Sequence, residues 1–303
     1  MSAFAFFGAL EIGLLYGLVA LGVYITFRVL DFPDLSVDGS FPMGAAVAAT
    51  AIVAGINPWV ATGLAIIAGA VTGWVTAFLT VRCGILNLLA SILTMIAAFS
   101  INIRIMGRPN VALIGEETIL TPFEMMGNPI YIRPLVVGVL VLLSAIFVVR
   151  LLNSDFGLGL RATGVNARMV AAQGASTAFY TYFGLALSNG FVGFAGALFA
   201  QTNSFADVTS GVGTIVVGLA AVILGQTLIP GKKIWVAVAA VILGSVLYRL
   251  AVAFALSSGM FGLQASDLNL VTAVLVAAAL IMPKMKKKMQ AKNNAAQKSG
   301  GAA

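Results

Sequence analysis

Long apolar runs separated by short polar connections dominate this chain, and the pattern predicts a bundle of membrane-spanning helices. Several runs exceed the roughly 20 apolar residues with which a helix crosses about 30 Å of hydrocarbon. The runs are continuous, whereas the strands of a membrane barrel alternate apolar and polar residues over about 10 positions. The predicted fold class is therefore an all-α polytopic membrane protein with about nine transmembrane helices. The predicted spans are residues 4–27, 41–55, 58–80, 85–106, 131–152, 178–200, 212–229, 234–256 and 266–282.

The second predicted span is interrupted at its start. The segment LDFPDLSVDGSFP, residues 30–42, combines aspartates with prolines and a glycine. Non-helical backbone at membrane depth is tolerated only where it is buried in protein or lines a watery cavity. We therefore predict a broken second helix whose break, residues 30–41, faces a central pathway. Asp38 or Ser40 could also cap a helix that begins near Pro42, and the two roles are compatible.

Polar side chains also recur along the fourth span. Asn87, Ser91 and Thr94 are spaced by four and three residues, which places them on one helix face. Such a stripe either lines a pathway or makes hydrogen bonds between helices. The run GFVGFAGA at 190–197, in contrast, predicts a face for close helix packing. The candidate pathway residues from the break and the stripe are Asp34, Ser36, Asp38, Gly39, Asn87, Ser91 and Thr94.

The segment 153–175 is a polar island between two spans, and we expect it to lie in water. Its apolar positions Val165, Met169 and Ala172 repeat at helical spacing beside a charged face. A short amphipathic helix at the cytoplasmic surface is therefore predicted, with Gly174 ending it. Such a helix either rests on the membrane interface or contacts a second protein.

Composition excludes most soluble functions. Hydrophobic residues make up 60% and charged residues 9% of the chain, against roughly 25% charged residues in soluble domains. With no histidine and the single cysteine Cys83, neither a catalytic centre nor a metal site is predicted, and we expect no enzymatic activity. Most of the net charge of +7 comes from lysines of the tail 284–303. We expect this tail to be a disordered cytoplasmic anchor and not a nucleic-acid site.

One set of basic residues near span ends orients the predicted bundle. With nine crossings every member of this set falls on one side, which the positive-inside rule makes the cytoplasm. The N-terminus is then outside and the C-terminus cytoplasmic. No Lys or Arg precedes the first run, so we expect a retained span and not a signal peptide. The residues that set this orientation are Arg82, Arg161, Arg168, Lys232, Lys233 and the lysines of the tail.

The stretch 225–233 imitates a phosphate-binding loop without its spacing. Five residues separate Gly225 from Gly231, and Lys232 is followed by Lys233. The Walker pattern has four intervening residues and a Ser or Thr after the lysine. We therefore expect no ATP binding by this motif, so an ATP-driven mechanism would need a motor on another chain.

Three ordered stretches resemble the branched-chain amino acid and ribose permeases of ATP-binding-cassette importers. They are DLSVDGSFPMGAAV at 34–47, GLGLRATGVNARMVAAQGAS at 157–176 and VGLAAVILGQTLIPGKK at 217–233. Asp38–Gly39 stands where the sugar permeases usually have Gly–Ser, and Gln226 and Pro230 replace glycines. In overall look the chain is closest to permeases of tryptophan- and tyrosine-type transport systems.

The resemblance implies a permease domain over residues 1–283, with a coupling loop at 153–175, in the lipid of the bacterial plasma membrane. Its expected partners are a second permease copy in a homodimer, an extracellular solute-binding protein and separate ATPase subunits. ATP and Mg are expected on those ATPases, and no cofactor is expected on this chain. By motif, the residues expected to contact the ATPase are Gly159, Arg161, Ala162, Gly164, Asn166, Arg168 and Met169.

The resemblance implies import of an amino acid or a related small polar molecule, with aromatic or branched-chain types favoured. The alternative is an ion-coupled secondary transporter or a channel. A carrier of that kind predicts inverted repeats and charged coupling sites within the spans, and the sequence shows neither clearly.

Overall fold

The structure is a computed structural model that describes residues 3–257, except 126 and 232, together with residues 274 and 277. This part of the chain is almost entirely helical. The helices are α1 (Ala3–Val23), continued by a π-helix (Tyr24–Val29), α2 (Val37–Val53), α3 (Pro58–Val81), α4 (Asn87–Met106), α5 (Thr121–Glu124), α6 (Pro129–Asn153), α7 (Asp155–Ala172), α8 (Thr177–Asn203), α9 (Thr214–Leu228) and α10 (Ile234–Ser257). Two short strands, β1 (Asn110–Ala112) and β2 (Phe205–Asp207), complete it.

Seven helical segments in the described residues are long and apolar enough to cross a membrane, and α2 is a shorter apolar helix. The first eight predicted spans each coincide with one of these helices. The prediction of a polytopic helical membrane protein is therefore confirmed. Of the ninth predicted span, 266–282, the structure describes only residues 274 and 277, and the tail 284–303 lies outside the described residues.

Local sequence signals set several helix starts. Asn57 and Asn128 each precede a proline at the first helical position, and their side chains accept hydrogen bonds from the backbone N–H groups of Trp59 and Ile130. Proline lacks a backbone N–H, and at the first helical position this costs nothing because an N–H there would have no partner within the helix. An asparagine cap followed by a proline therefore sets the start of both α3 and α6.

The short helix α2 occupies the centre of the bundle and packs against α3, α4 and α8. Glycines allow this close approach, because a side chain on Gly44 would collide with the Gly193 backbone. A side chain on Gly196 would likewise collide with the Phe41 carbonyl. The predicted small-residue packing face of α8 is confirmed. In lipid, such faces stabilise helix pairs because backbones come into direct contact.

A small antiparallel sheet closes one end of the bundle, and the sequence did not predict it. Strand β1 pairs with β2 so that Asn110 lies opposite Asp207. Burial raises the pKa of the Asp207 carboxyl, but hydrogen bonds from Thr209 and Asn110 outweigh it and hold the pKa below its usual value. The connection after β1 is also pinned, since the Gln201 side chain accepts a hydrogen bond from the Ile119 N–H at 3.0 Å. The long connection between α4 and α6 is therefore folded onto the bundle.

Candidate functional site

The break in the second span is shorter than predicted and follows a π-helical turn. After Val29 the chain leaves the helix, and α2 begins at Val37, so the break covers residues 30–36 instead of 30–41. Asp31 takes the left-handed conformation, with φ of 52°, which aspartate tolerates better than most residues. This reversal returns the chain into the bundle.

A fully buried polar cluster holds the break against the middle of α8. One Asp34 carboxylate oxygen accepts hydrogen bonds from the Ser36 N–H at 2.9 Å and the Ser36 hydroxyl at 2.5 Å. The other accepts one from the Asn189 amide at 2.8 Å. The Ser40 hydroxyl donates to the Asn189 side-chain oxygen at 2.6 Å. Because a buried carboxylate needs such donors, the cluster fixes the break to α8.

Asp38 caps a different helix from the one that contains it. Its two carboxylate oxygens accept hydrogen bonds from the backbone N–H groups of Gly213 at 3.1 Å and Ile215 at 2.7 Å, at the start of α9. The predicted helix start near Pro42, capped by Asp38 or Ser40, is wrong: α2 begins at Val37 and Pro42 lies inside it. A carboxylate at a helix N-terminus neutralises the positive end of the helix dipole.

Two short helices, α2 and α9, therefore begin side by side within the bundle. The segment Val208–Gly211, a 3₁₀-helix, packs on α2, and the chain enters α9 only after Gly213. Gly213 has φ of 81°, a conformation that favours glycine. The N-terminal ends of both helices thus lie around Asp38.

The candidate pathway residues do not line one common space. Asp34 and Ser36 belong to the buried cluster, whereas Asp38 and Gly39 border a cavity of about 300 Å³ that α4 also lines. A second cavity of about 300 Å³, between α2, α3 and α4, is bordered by Thr94.

The predicted single face of α4 is only partly buried. Ser91 and Thr94 are buried and donate to carbonyls of their own helix, and Asn87 is half-buried. Asn102, further along the same face, makes the one hydrogen bond from this stripe to α2, donating to the Gly39 carbonyl at 3.4 Å.

The island between α6 and α8 folds as two helical segments and not as one amphipathic helix. The backbone of Asn166 is non-helical, with φ of −158° and ψ of 89°, and divides α7. Its side chain accepts a hydrogen bond from the Met169 N–H at 3.0 Å, so Asn166 caps the second segment. Gly174 ends it as predicted, with φ of 81° and with N–H bonds from Gly174 and Ala175 back to Ala171 and Val170.

The first segment of α7 packs onto the bundle. Side chains on Gly157, Gly159 or Gly164 would collide with α6, with Tyr180 of α8 and with the Val29 carbonyl, respectively. Leu160 between them is completely buried. This segment therefore contacts the π-helical turn directly before the break.

The kink and the first turn of the second segment form an exposed tip, which we define as residues 165–169. Val165 is 86% exposed and Met169 is 51% exposed. Asn166 and Arg168 are exposed as well. Of the residues expected to contact an ATPase, Asn166, Arg168 and Met169 lie on the tip. Gly159, Arg161, Ala162 and Gly164 lie on the packed segment and are half-buried.

Sequence reasoning did not single out Asn189 or Tyr180. Asn189 is the only strongly polar side chain within the run SNGFVG of α8, which is a signal that could have identified it, because an amide inside a span needs a partner. Tyr180 gave no comparable signal, since tyrosines near span ends are common.

Comparison with known proteins places this architecture in a family. A family model for the permease component of branched-chain amino acid transport systems matches residues 5–282. The tyrosine transport system permease protein of Clostridioides difficile (strain R20291) is 38% identical over 267 residues, covering 88% of this chain and 87% of that protein. The uncharacterized protein RP368 of Rickettsia prowazekii (strain Madrid E) is 36% identical over 218 residues, which cover 72% of this chain and 75% of that protein.

Among solved structures, PsaBC from Streptococcus pneumoniae in complex with Fab aligns over 89% of both chains, with a TM-score of 0.48 and 17% identity. The family model covers nearly the whole chain, and the relative from Clostridioides difficile is similar over most of it. The protein therefore belongs to the family of permease components of branched-chain amino acid transport systems, which confirms the family indicated by its three motifs.

Proposed function

We propose that this chain is the permease subunit of an ATP-binding-cassette importer for an amino acid, driven by a separate ATPase that docks on the exposed tip. The observation that carries the proposal is the exposure of Val165 and Met169 on the tip, directly after a segment of α7 that packs against the bundle. Apolar side chains rimmed by polar ones are typical of protein contacts. In this proposal the ATPase subunits hold ATP and Mg, and this chain holds no cofactor.

The contacts of α7 supply a route from the docking site to the break. Its first segment lies against the backbone of Val29, directly before the break. The break is tied through Asp34 to α8, and Asp38 ties α2 to α9. A displacement of the tip would therefore move the packed segment, the break and the two short helices together.

The proposed path runs beside the starts of α2 and α9, between this chain and a second copy. Discontinuous helices that start near the middle of the membrane are used by transporters to line solute sites. The cavity bordered by Asp38 and Gly39 is a candidate part of the path. A solute-binding protein outside would deliver the solute, which we propose to be an aromatic amino acid, because the similar protein of Clostridioides difficile is named for tyrosine.

The docking proposal is tested with two matched variants, Val165→Glu and Ile114→Glu. Both side chains are apolar and equally exposed, at 86% and 84%, but they lie beyond opposite ends of α6. The tagged chain is purified in mild detergent from its own cells, and a co-purifying subunit with a Walker motif is quantified together with ATP hydrolysis. We expect V165E to lose most of the ATPase and I114E to retain it.

Equal retention in both variants would show that the tip is not the docking site. The transport class is tested in proteoliposomes with labelled tyrosine. Uptake should require ATP and the solute-binding protein. Uptake driven by an ion gradient in the absence of any ATPase would instead favour the secondary-transporter alternative.

A further inference from the structure

A cavity with a basic lining lies where the π-helix, α7 and the connected ends of α9 and α10 converge. We call it the basic cavity; its volume is about 520 Å³, within the about 300–1,000 Å³ typical of small-molecule sites. The cations among its described lining residues are Arg28 of the π-helix, Arg161 of the packed segment of α7 and Lys233 before α10. Tyr24 and Gln226 add neutral polar groups.

The charges of the basic cavity are not balanced by acidic groups in the described structure. None of its described lining residues is Asp or Glu. Within the described residues, none of Arg28, Arg161 and Lys233 makes an ion pair, and the Arg161 Nε makes only a long bond of 3.4 Å to the Gly157 carbonyl. Three convergent cations without a counter-charge repel one another. The cavity is therefore suited to an anion.

The start of α10 adds to the positive potential. This helix begins at Ile234, which lines the cavity together with Lys233. The first N–H groups of a helix have no partner within the helix and carry the positive end of its dipole. Phosphate groups bind well where such N–H groups and basic side chains meet.

We propose that the basic cavity binds the phosphate group of an anionic phospholipid headgroup. The same chemistry could come from a free phosphate, but the surroundings favour lipid. Arg28 and Lys233 lie at the ends of apolar helices, the level at which lipid phosphates lie. Ile229 and Ala237 line the cavity beside the cations. Trp235 follows Lys233 by two residues and is 58% exposed, and tryptophan is enriched at the membrane–water interface.

The site gives Arg161 a different role from the one its motif implies. Arg161 lines the basic cavity together with Tyr24 and Arg28 of the π-helix. It is not part of the exposed tip. A bound headgroup would tie α7 to the π-helical turn and to the start of α10, so lipid composition would control how firmly the tip is held.

The test compares the variants Arg28→Gln and Lys233→Gln, singly and combined, with Arg150→Gln as a matched control. Arg150 is an exposed arginine in the last turn of α6, just before α7, and does not line the cavity. Binding is measured on the purified full chain by native mass spectrometry, and thermal stability in nanodiscs. The nanodiscs contain either phosphatidylglycerol or phosphatidylcholine.

We expect the wild type to retain phosphatidylglycerol selectively and to be more stable in its presence. Each cavity charge removed should weaken this binding roughly fivefold, as expected for about one favourable contact per basic residue. R150Q should bind phosphatidylglycerol as the wild type does. Lys233→Arg keeps the positive charge that Lys233→Gln removes, so it should also bind as the wild type does. These arms need no ATPase, so they can fail separately from the docking proposal.

Two results would overturn the inference. If inorganic phosphate or glycerophosphoglycerol saturates the site at the same concentration as phosphatidylglycerol, the ligand is a free anion and the lipid assignment is wrong. If the combined variant keeps its phosphatidylglycerol but loses the ATPase, the cavity receives an acidic side chain of that partner.

Discussion

At the scale of single residues, the two aspartates of the break show how a carboxylate survives inside an apolar bundle. Asp34 accepts three hydrogen bonds from Ser36 and Asn189, and Asp38 accepts two from backbone N–H groups. Neither has an ion-pair partner among the described residues. These donors replace the water that a carboxyl group loses when it is buried.

The cap of α9 by Asp38 is tested by Asp38→Ala and Asp38→Asn. Removing the carboxylate leaves two N–H groups without partners, so D38A should lower the free energy of unfolding by about 2 kcal/mol. Asparagine keeps one acceptor and should lose about half as much. Thermal unfolding in detergent, monitored by tryptophan fluorescence, measures both.

Glu117→Ala is the control for this pair, since Glu117 is an exposed acid on the connection between α4 and α6. Its removal should change the unfolding temperature little. A D38A protein as stable as E117A would mean that Asp38 does not hold the start of α9.

At the scale of elements, glycine carries the packing of α2 in the bundle. The backbones of α2 and α8 touch at Gly44 and Gly193 and again at Gly196. The apolar periodicity could predict that these helices exist, because each run is long enough to span a membrane. It could not predict that α2 lies at the centre, since the apolar pattern of a run does not say which other helices it packs against.

The matched pair Gly196→Ala and Gly63→Ala tests this packing. A methyl group on Gly196 would collide with the Phe41 carbonyl, whereas one on Gly63 meets nothing within 4 Å. We expect G196A to destabilise the protein by about 1–3 kcal/mol, as overpacking does. G63A should change stability by less than about 1 kcal/mol.

Size-exclusion profiles and unfolding temperatures of the two variants in the same detergent give the comparison. Both substitutions add the same methyl group within a helix, so a difference between them reports the space around each site. Equal stability would contradict the contact between α2 and α8.

At the scale of the whole molecule, sequence reasoning identified the membrane bundle, the family and the position of the break, but not the long-range contacts. Asp38 looked like a local cap because capping is usually local, and its real partner is 177 residues away. Asn166 looked like one contact in a continuous helix, because apolar spacing does not reveal a kink. The sheet between β1 and β2 was missed because three-residue strands leave too little alternation to recognise.

The predicted orientation is tested with the single natural cysteine. Cys83 is exposed in the turn between α3 and α4, at the end that the arginine and lysine distribution assigns to the cytoplasm. A membrane-impermeant maleimide should therefore label it in inside-out vesicles and not in intact cells. The double variant Cys83→Ser, Ile114→Cys should show the opposite pattern. Labelling of Cys83 in intact cells would show that the predicted orientation is wrong.

The shared carboxylate of Asp38 restricts which movements the bundle can make. Asp38 belongs to α2 and accepts hydrogen bonds from α9, so sliding these helices apart would leave its carboxyl group and two N–H groups of α9 without hydrogen-bond partners inside the bundle. We therefore expect α2 and α9 to move together as one rigid unit. In the transport cycle proposed above, movement between helices would therefore occur at contacts other than the one between α2 and α9.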